Sequence, residues 1–474
     1  MADSGGDSFA QSVPSGSGVS GGTGRDATGR DATGRDATGR DATGRALLVT
    51  VLAAFGTYFC VYGLRKPFTV AGFADSRWLG IGFKEWLLIS QVLGYMLSKF
   101  VGIKVIAEMP PWGRARGIIG LASIALLSLV VFGLMPRPYS AVCLFVNGLA
   151  LGLTFGLVLA FLEGRRATEA LAAGLCTSFI LADGVTKSVG KWLLDLGVSE
   201  GWMPAAAGFV FLVPLLVSVS VLAKSPPPDN ADETARSVRS TMDRGQRRAL
   251  FGRYAFGLSV LVGVYLMTTI LRSLRADFMP ELWSGLGVDA PPGAYTQSEL
   301  WVALGVIGLN GVGIFILDNR KAFFASLLTC LAGFLLIAVA LTALGRGLVS
   351  PFVFMVLIGL GLYMPYVAVH TTVFERLLAM TRERGNLGYL MYVADAFGYL
   401  GYVGVMLARN ILRWRSEAGT VPNAVAGGAQ MLDFFLIACW GAVWACGIGM
   451  IAAIVYFARK GSGDQANQSC MTSP

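Results

Sequence analysis

The sequence predicts an all-α integral membrane protein of twelve transmembrane helices, built as two six-helix halves with both termini in the cytoplasm. Three observations predict it. Hydrophobic residues make up 54% of the 474 residues and charged residues only 14%, where soluble globular proteins hold about a quarter charged residues. Eleven or twelve apolar runs, most of about 18–25 residues, each match the length of helix that crosses a bilayer. Cations are also strongly biased to alternate connecting segments. This pattern excludes a soluble enzyme with a small anchor, a coiled coil, and a β-barrel, whose strands are shorter and alternate. The net charge of +9 would suggest a nucleic-acid partner in a soluble protein. Here topology explains it, and no nucleic acid is expected.

In chain order, residues 1–45 are Gly, Ser, Ala, Thr, Asp and Arg, with DATGR repeated four times from Asp26 to Arg45. Such a segment lacks the apolar surface to offset ordering and is expected to be a disordered cytoplasmic arm. No cleavable signal peptide is expected, because the first apolar run follows this polar stretch and further spans follow it. Spans are placed at about 46–70, 84–107, 115–135, 139–162, 169–195, 203–223, 252–275, 296–317, 322–344, 349–374, 385–409 and 430–458. Residues 46–223 form the first half, 224–251 a polar cytoplasmic linker opening KSPPPD, 252–458 the second half, and 459–474 a disordered tail. With the N-terminus inside, the inner segments carry twenty-three Lys and Arg against seven outside, a positive-inside asymmetry. A multi-pass monomer in the inner or plasma membrane is expected, with the lipid bilayer as its main partner.

Cys60, Cys143, Cys176, Cys330, Cys439 and Cys446 lie in apolar runs and Cys470 in the tail. None shows CxxC or metal-ligand spacing, so they read as packing residues. No cofactor or metal is expected. The halves echo one another weakly. The fourth span ends FLEGRR and the fifth carries ILADG, while the tenth ends VFERL and the eleventh carries YVADA. Glu163 precedes Asp183 by 20 residues, as Glu375 precedes Asp395. A six-plus-six layout is that of major facilitator transporters, which hold substrate near the midplane between halves.

An ionised group in hydrocarbon costs at least about 2.5 kcal/mol, so buried charges turn to a wet cavity or a partner. Arg65 and Lys66 fall on the first span, Lys99 on the second, Lys187 and Lys191 on the fifth, and Arg272 and Arg275 on the seventh. The acids there are fewer: Asp183, Asp395, and Asp277 near an end. The balance is cationic, so a small anionic solute is the natural missing partner. Tyr58, Tyr62 and Arg65 share one helix face, as do Tyr265, Thr268, Arg272 and Arg275. Tyr363, Tyr366 and His370 form a third stripe; Tyr392, Asp395, Tyr399 and Tyr402 form a fourth. Arginine forks match phosphate or carboxylate oxygens. Plainer readings stand beside these. Arg65 and Lys66 could snorkel to the outer interface, and Arg275 with Asp277 could mark a helix end. Asp183, Lys187 and Lys191 at i, i+4, i+8 could form an ion-pair ladder. His370, the single histidine, could be a core residue or a proton carrier.

The run from Tyr62 through Arg65-Lys66-Pro67-Phe68, followed by Ser90 and Tyr95-Met96-Leu97-Ser98-Lys99-Phe100, resembles the first two helices of the organophosphate:phosphate antiporters. Leu271-Arg272, with Asp277 and Pro280 after it, resembles their seventh helix. This resemblance implies that Arg65 and Arg272 face each other and clamp a phosphate, that Lys99 is a cavity lysine, and that Tyr58 and Tyr62 are cavity tyrosines. Leu181 stands where the family has a substrate-binding histidine, and AEMPPWGRARG replaces its basic signature. The expected function is secondary active transport of a small organic anion, such as a phosphate ester exchanged for phosphate, by alternating access. Arg65, Arg272, Lys66, Lys99, Tyr58, Tyr62 and Arg275 are the expected substrate-binding residues. Asp183, Lys187, Lys191, His370 and Asp395 are the candidate coupling or ion-pair residues. The alternatives are a proton-coupled symporter or exporter of the same fold, and a membrane sensor that does not transport. With no nucleophile motif and no metal cluster, an enzyme is not expected.

Overall fold

The computed structural model describes residues 32–73, 77–78, 81–162, 168–225, 244–314, 316, 318–381, 387–416 and 424–471. Residues Leu47–Pro474 form one compact unit, and Met1–Ala46 are grouped apart from it. The helices are α1 Ala32–Gly63, α2 Phe83–Glu108, α3 Pro111–Leu134, α4 Ala141–Leu162, α5 Thr168–Asp195 and α6 Met203–Ala223. They continue with α7 Arg244–Arg253, α8 Ala255–Asp277, α9 Met279–Gly285, α10 Pro292–Ile314, α11 Asn319–Gly345 and α12 Pro351–Ala368. One π turn, Val369–Val373, leads into α13 Phe374–Thr381; α14 Leu387–Ser416 and α15 Ala424–Met471 follow. A two-residue ribbon pairs β1 Arg77–Trp78 with β2 Ile81–Gly82.

Each expected span coincides with a long helix. Among the described residues, seven helical stretches are long and apolar enough to cross a membrane. The others, α1, α2, α5, α10 and α14, include those holding Lys99, Asp183, Lys187, Glu299 and Asp395, all buried charges or near-buried ones. Outward faces carry apolar side chains such as Leu127, Val213, Leu335, Ile437 and Trp444, the inverse of a soluble surface. Both terminal segments differ from expectation. Helix runs from Ala32 through the later repeats and to Met471 in the tail. The DATGR period places each Asp four residues before an Arg, the favourable direction for a helical ion pair. Residues 1–31, residues 226–243 of the linker, and Glu163 lie outside the described residues.

Local chemistry shapes two helix ends. Pro67 has no N–H to continue the ladder, so α1 stops at Gly63. The carbonyls beyond are taken up by side-chain amides from other helices. Asn147 Nδ2 donates to Leu64 O (3.1 Å), and Gln91 Nε2 donates to Arg65 O (3.0 Å). Gln91 also donates to Asn147 Oδ1 (2.9 Å). In α12, Pro365 interrupts the ladder, and the π turn that follows carries His370. At the far end, Asp318 caps α11, accepting from Arg320 N (2.8 Å) and Lys321 N (3.0 Å). Those N–H groups, Lys321 foremost, hold its carboxyl below the usual carboxylate value.

Glycine allows two helices to touch. A Cβ on Gly148 of α4 would meet Gln91 O at 2.0 Å, and one on Gly94 of α2 would meet Phe145 O at 2.1 Å.

Polar pairs join the halves. Lys66 pairs with Asp277, whose second oxygen accepts from Tyr402 Oη (2.8 Å). Lys84 pairs with Glu281, Arg409 lies 3.9 Å from Glu85, and Ser188 Oγ lies 2.7 Å from Thr296 Oγ1. These contacts gather where α1, α5, α8 and α14 finish and α2 and α10 begin. Arg275 belongs elsewhere. It pairs at 2.7 Å with Glu299 and donates to Met355 O (2.8 Å), entirely within the second half. Its expected place in a substrate site is corrected: Glu299 neutralises it, and Gly359 makes the room it occupies.

Two outcomes follow. Gly148→Ala forces α2 and α4 apart and is expected to cost about 1–3 kcal/mol, read as a lowered Tm in detergent; an unchanged Tm would contradict the close approach. Arg275→Met strands a buried Glu299 carboxylate and is expected to cost about 3–5 kcal/mol. The double variant Arg275→Met with Glu299→Leu should recover much of that loss, whereas additive losses would contradict the pairing.

Candidate functional site

Arg65 and Arg272 remain 6% and 8% exposed, one beyond the end of α1 and one on α8. The Arg65 guanidinium lies 4.0 Å from the Tyr95 ring centre and 5.7 Å from that of Tyr62. The Arg272 guanidinium lies 4.4 Å from Tyr366, 5.8 Å from Tyr363 and 5.9 Å from Phe179. Tyr62 stacks on Phe179 at 6.3 Å, so two rings link one arginine to the other across the halves. Neither guanidinium has a carboxylate partner among the described residues, and the Nε of each is buried without a hydrogen bond. A cation over a ring face gains from the ring quadrupole, but this does not neutralise its charge.

The surrounding wall is aromatic. Tyr58 meets Tyr62 edge-on at 5.5 Å and Phe155 at 5.2 Å. Tyr95 meets Tyr399 at 5.3 Å. Tyr366 stacks on Tyr265 and on His370 at 5.3 and 5.7 Å. These rings come from α1, α2, α4, α5, α8, α12 with its π turn, and α14.

Beside this box stands a charged network. Lys99 of α2 pairs with Asp395 of α14, and its ammonium lies between Tyr95 (5.4 Å) and Tyr399 (5.2 Å). The Tyr265 hydroxyl donates to the other Asp395 oxygen and lies 3.2 Å from His370 Nδ1. Farther along α5, Lys187 pairs with Asp183 in a fully buried i, i+4 contact. Lys191 pairs instead with Asp195 at 3.2 Å. The expected three-residue ladder is therefore two separate pairs, because Asp195 offers Lys191 an acid at the wetter end of the helix.

Of the residues expected to bind an anion, Arg65, Arg272, Tyr58 and Tyr62 come together in the aromatic box. Lys99 borders it with its charge matched by Asp395. Lys66 and Arg275 are matched by Asp277 and Glu299 outside it. Sequence reasoning missed Glu299, Phe179 and the position of Tyr95 beneath Arg65. Phe179 and Asp183, like Tyr95 and Lys99, stand four residues apart, a spacing that could have flagged them. Tyr392 of the fourth stripe lies outside the described side chains.

Solved structures resemble this fold. The human organic anion transporter MFSD10 (TETRAN) aligns with a TM-score of 0.52 at 13% identity, covering 85% of this chain and 99% of that one. A bacterial homologue of the human drug peptide transporters PepT1 and PepT2 aligns at 0.56 and 14%, covering 88% and 99%. A point-mutant form of the nucleoside transporter NupG aligns at 0.53 and 11%, covering 85% and 99%. At such identities the likeness shows the fold: this chain has the major facilitator fold and is a multi-pass membrane protein. No curated protein matches it in sequence. A family model matches residues 67–460, and the chain therefore belongs to DUF5690, a family of unknown function.

Proposed function

We propose that the chain is a secondary transporter that moves a small organic anion by alternating access, with Arg65 and Arg272 as its clamp. One observation carries this reading. Two guanidinium groups, one from each half, share one aromatic box and have no carboxylate partner among the described residues. A buried cation without a counter-ion is costly, and a guest anion supplies what is missing. The other charged side chains expected near the midplane, where described, are already matched by acids. An anion bridging both arginines draws the halves together, and its release lets them part.

The finer reading is exchange of a phosphate ester for inorganic phosphate. The resemblance of the Arg65 and Arg272 segments to the organophosphate:phosphate antiporters supports it, as does the fit of arginine forks to phosphate oxygens. Structural likeness to MFSD10, an organic anion transporter, is in keeping with the anion class. The positive-inside bias supports cytoplasmic termini and an inner or plasma membrane location. On that topology the inter-half pairs Lys66–Asp277 and Lys84–Glu281 close the outer end of the pathway.

Counterflow of labelled inorganic phosphate into proteoliposomes tests the proposal. Arg65→Lys and Arg272→Lys keep the charge but lose the planar fork. Each is expected to weaken phosphate binding at least about tenfold, or about 1.4 kcal/mol, with expression and Tm retained. Undiminished uptake would remove both residues from the site. Phosphate binding without counterflow would favour a sensor.

A further inference from the structure

We propose that Asp395 is a proton-binding site linked to the anion, so that a guest entering the aromatic box draws a proton onto this carboxylate. The inference rests on the anion reading above and extends it to the coupling ion.

The geometry sets up a competition for one ammonium. Lys99 reaches from α2 of the first half to Asp395 on α14 of the second. It approaches the same Tyr95 ring that carries the Arg65 guanidinium, the ammonium 5.4 Å and the guanidinium 4.0 Å from its centre. An anion held by Arg65 therefore lies beside Lys99 and attracts it. Each share of the ammonium given to the guest is taken from Asp395. A buried carboxylate that loses its counter-ion binds a proton more tightly. Binding is reciprocal, so a proton on Asp395 also strengthens the anion site by freeing Lys99.

The groups facing Asp395 agree with this. They are Lys99 and Tyr95 from α2, Tyr265 from α8, Tyr366 from α12, His370 from the π turn, and Tyr399 one turn along α14. Among these, Lys99 is the charged amine and the one in ion-pair contact with the carboxylate, while Arg65 and Arg272 lie against the Tyr95 and Tyr366 rings. The Tyr265 hydroxyl is placed to follow the change. It donates to Asp395 while His370 Nδ1 lies 3.2 Å away. Once Asp395 is protonated, its new O–H donates to the Tyr265 oxygen, and the Tyr265 hydroxyl turns to donate to His370 Nδ1. The proton comes from water and returns to water when the anion leaves, so no other group changes its count of protons. Movement of anion and proton together follows, with the Lys99–Asp395 pair re-formed in the empty carrier.

Infrared difference spectroscopy on the full chain in proteoliposomes tests this at neutral pH. Addition of inorganic phosphate to the wild type should raise the absorption of a protonated carboxyl group, and Asp395→Asn should abolish it. Lys99→Gln should show that band with no phosphate present, and Lys99→Gln with Asp395→Asn should lose it. This second arm needs no ligand, and the doubly neutral variant controls for folding. Phosphate binding by calorimetry without the band, or Lys99→Gln without it, would overturn the proton site. A wild type that binds no phosphate would overturn the anion reading instead, while the Lys99→Gln arm still judges Asp395.

Discussion

Two buried positive charges, one from each half and neither with an acid in contact among the described residues, are the constraint around which the rest of the molecule is arranged. A buried ion without a partner costs several kcal/mol after relaxation, and a desolvated ring face returns about 2 kcal/mol or more of it. Arg65 on Tyr95 and Arg272 on Tyr366 are held by rings, which leave their charge in place. Four other described cations of the spans differ from these two. Lys66, Lys99, Lys187 and Arg275 each have an acid in contact. Ion pairs at some contacts between the halves and two guanidinium groups against rings at others are the electrostatic arrangement that the proposed anion site requires.

Unremarkable local chemistry positions the first of these charges. Pro67 ends α1, and Gln91 and Asn147 capture the carbonyls of Arg65 and Leu64. The guanidinium is thereby tied to α2 and α4 through its own backbone. On the other side, Pro365 and the π turn after it set the Tyr366–His370 stack against Tyr265. A rigid ring wall of this kind holds the arginines in place without neutralising them, which acids in the same positions would do.

The fold was legible because bilayer length and helical rise leave few options for apolar runs of this size. Helix boundaries at 203–223, 169–195 and 84–107 fall within a residue of α6, α5 and α2. The helical stretches over the repeats and the tail were not legible, since polar composition argues against burial but not against helix. In the site, Arg65 and Arg272 could be found because charged residues on an apolar helix are conspicuous. Their distinction from Arg275 could not. Helical spacing puts Arg272 and Arg275 on one face, but it does not reveal that Glu299 and the gap above Gly359 take the second of them. The pairing of Lys99 with Asp395 joins residues 296 apart in sequence, beyond the reach of any local pattern.

The most direct measurement of the central claim is a double-mutant cycle on phosphate affinity, with Arg65→Gln, Arg272→Gln and both together, read by calorimetry on purified full-length protein. If both guanidinium groups hold one anion, the second substitution should cost far less once the first is made. Losses that simply add would mean that the two arginines serve separate sites, and would contradict the account.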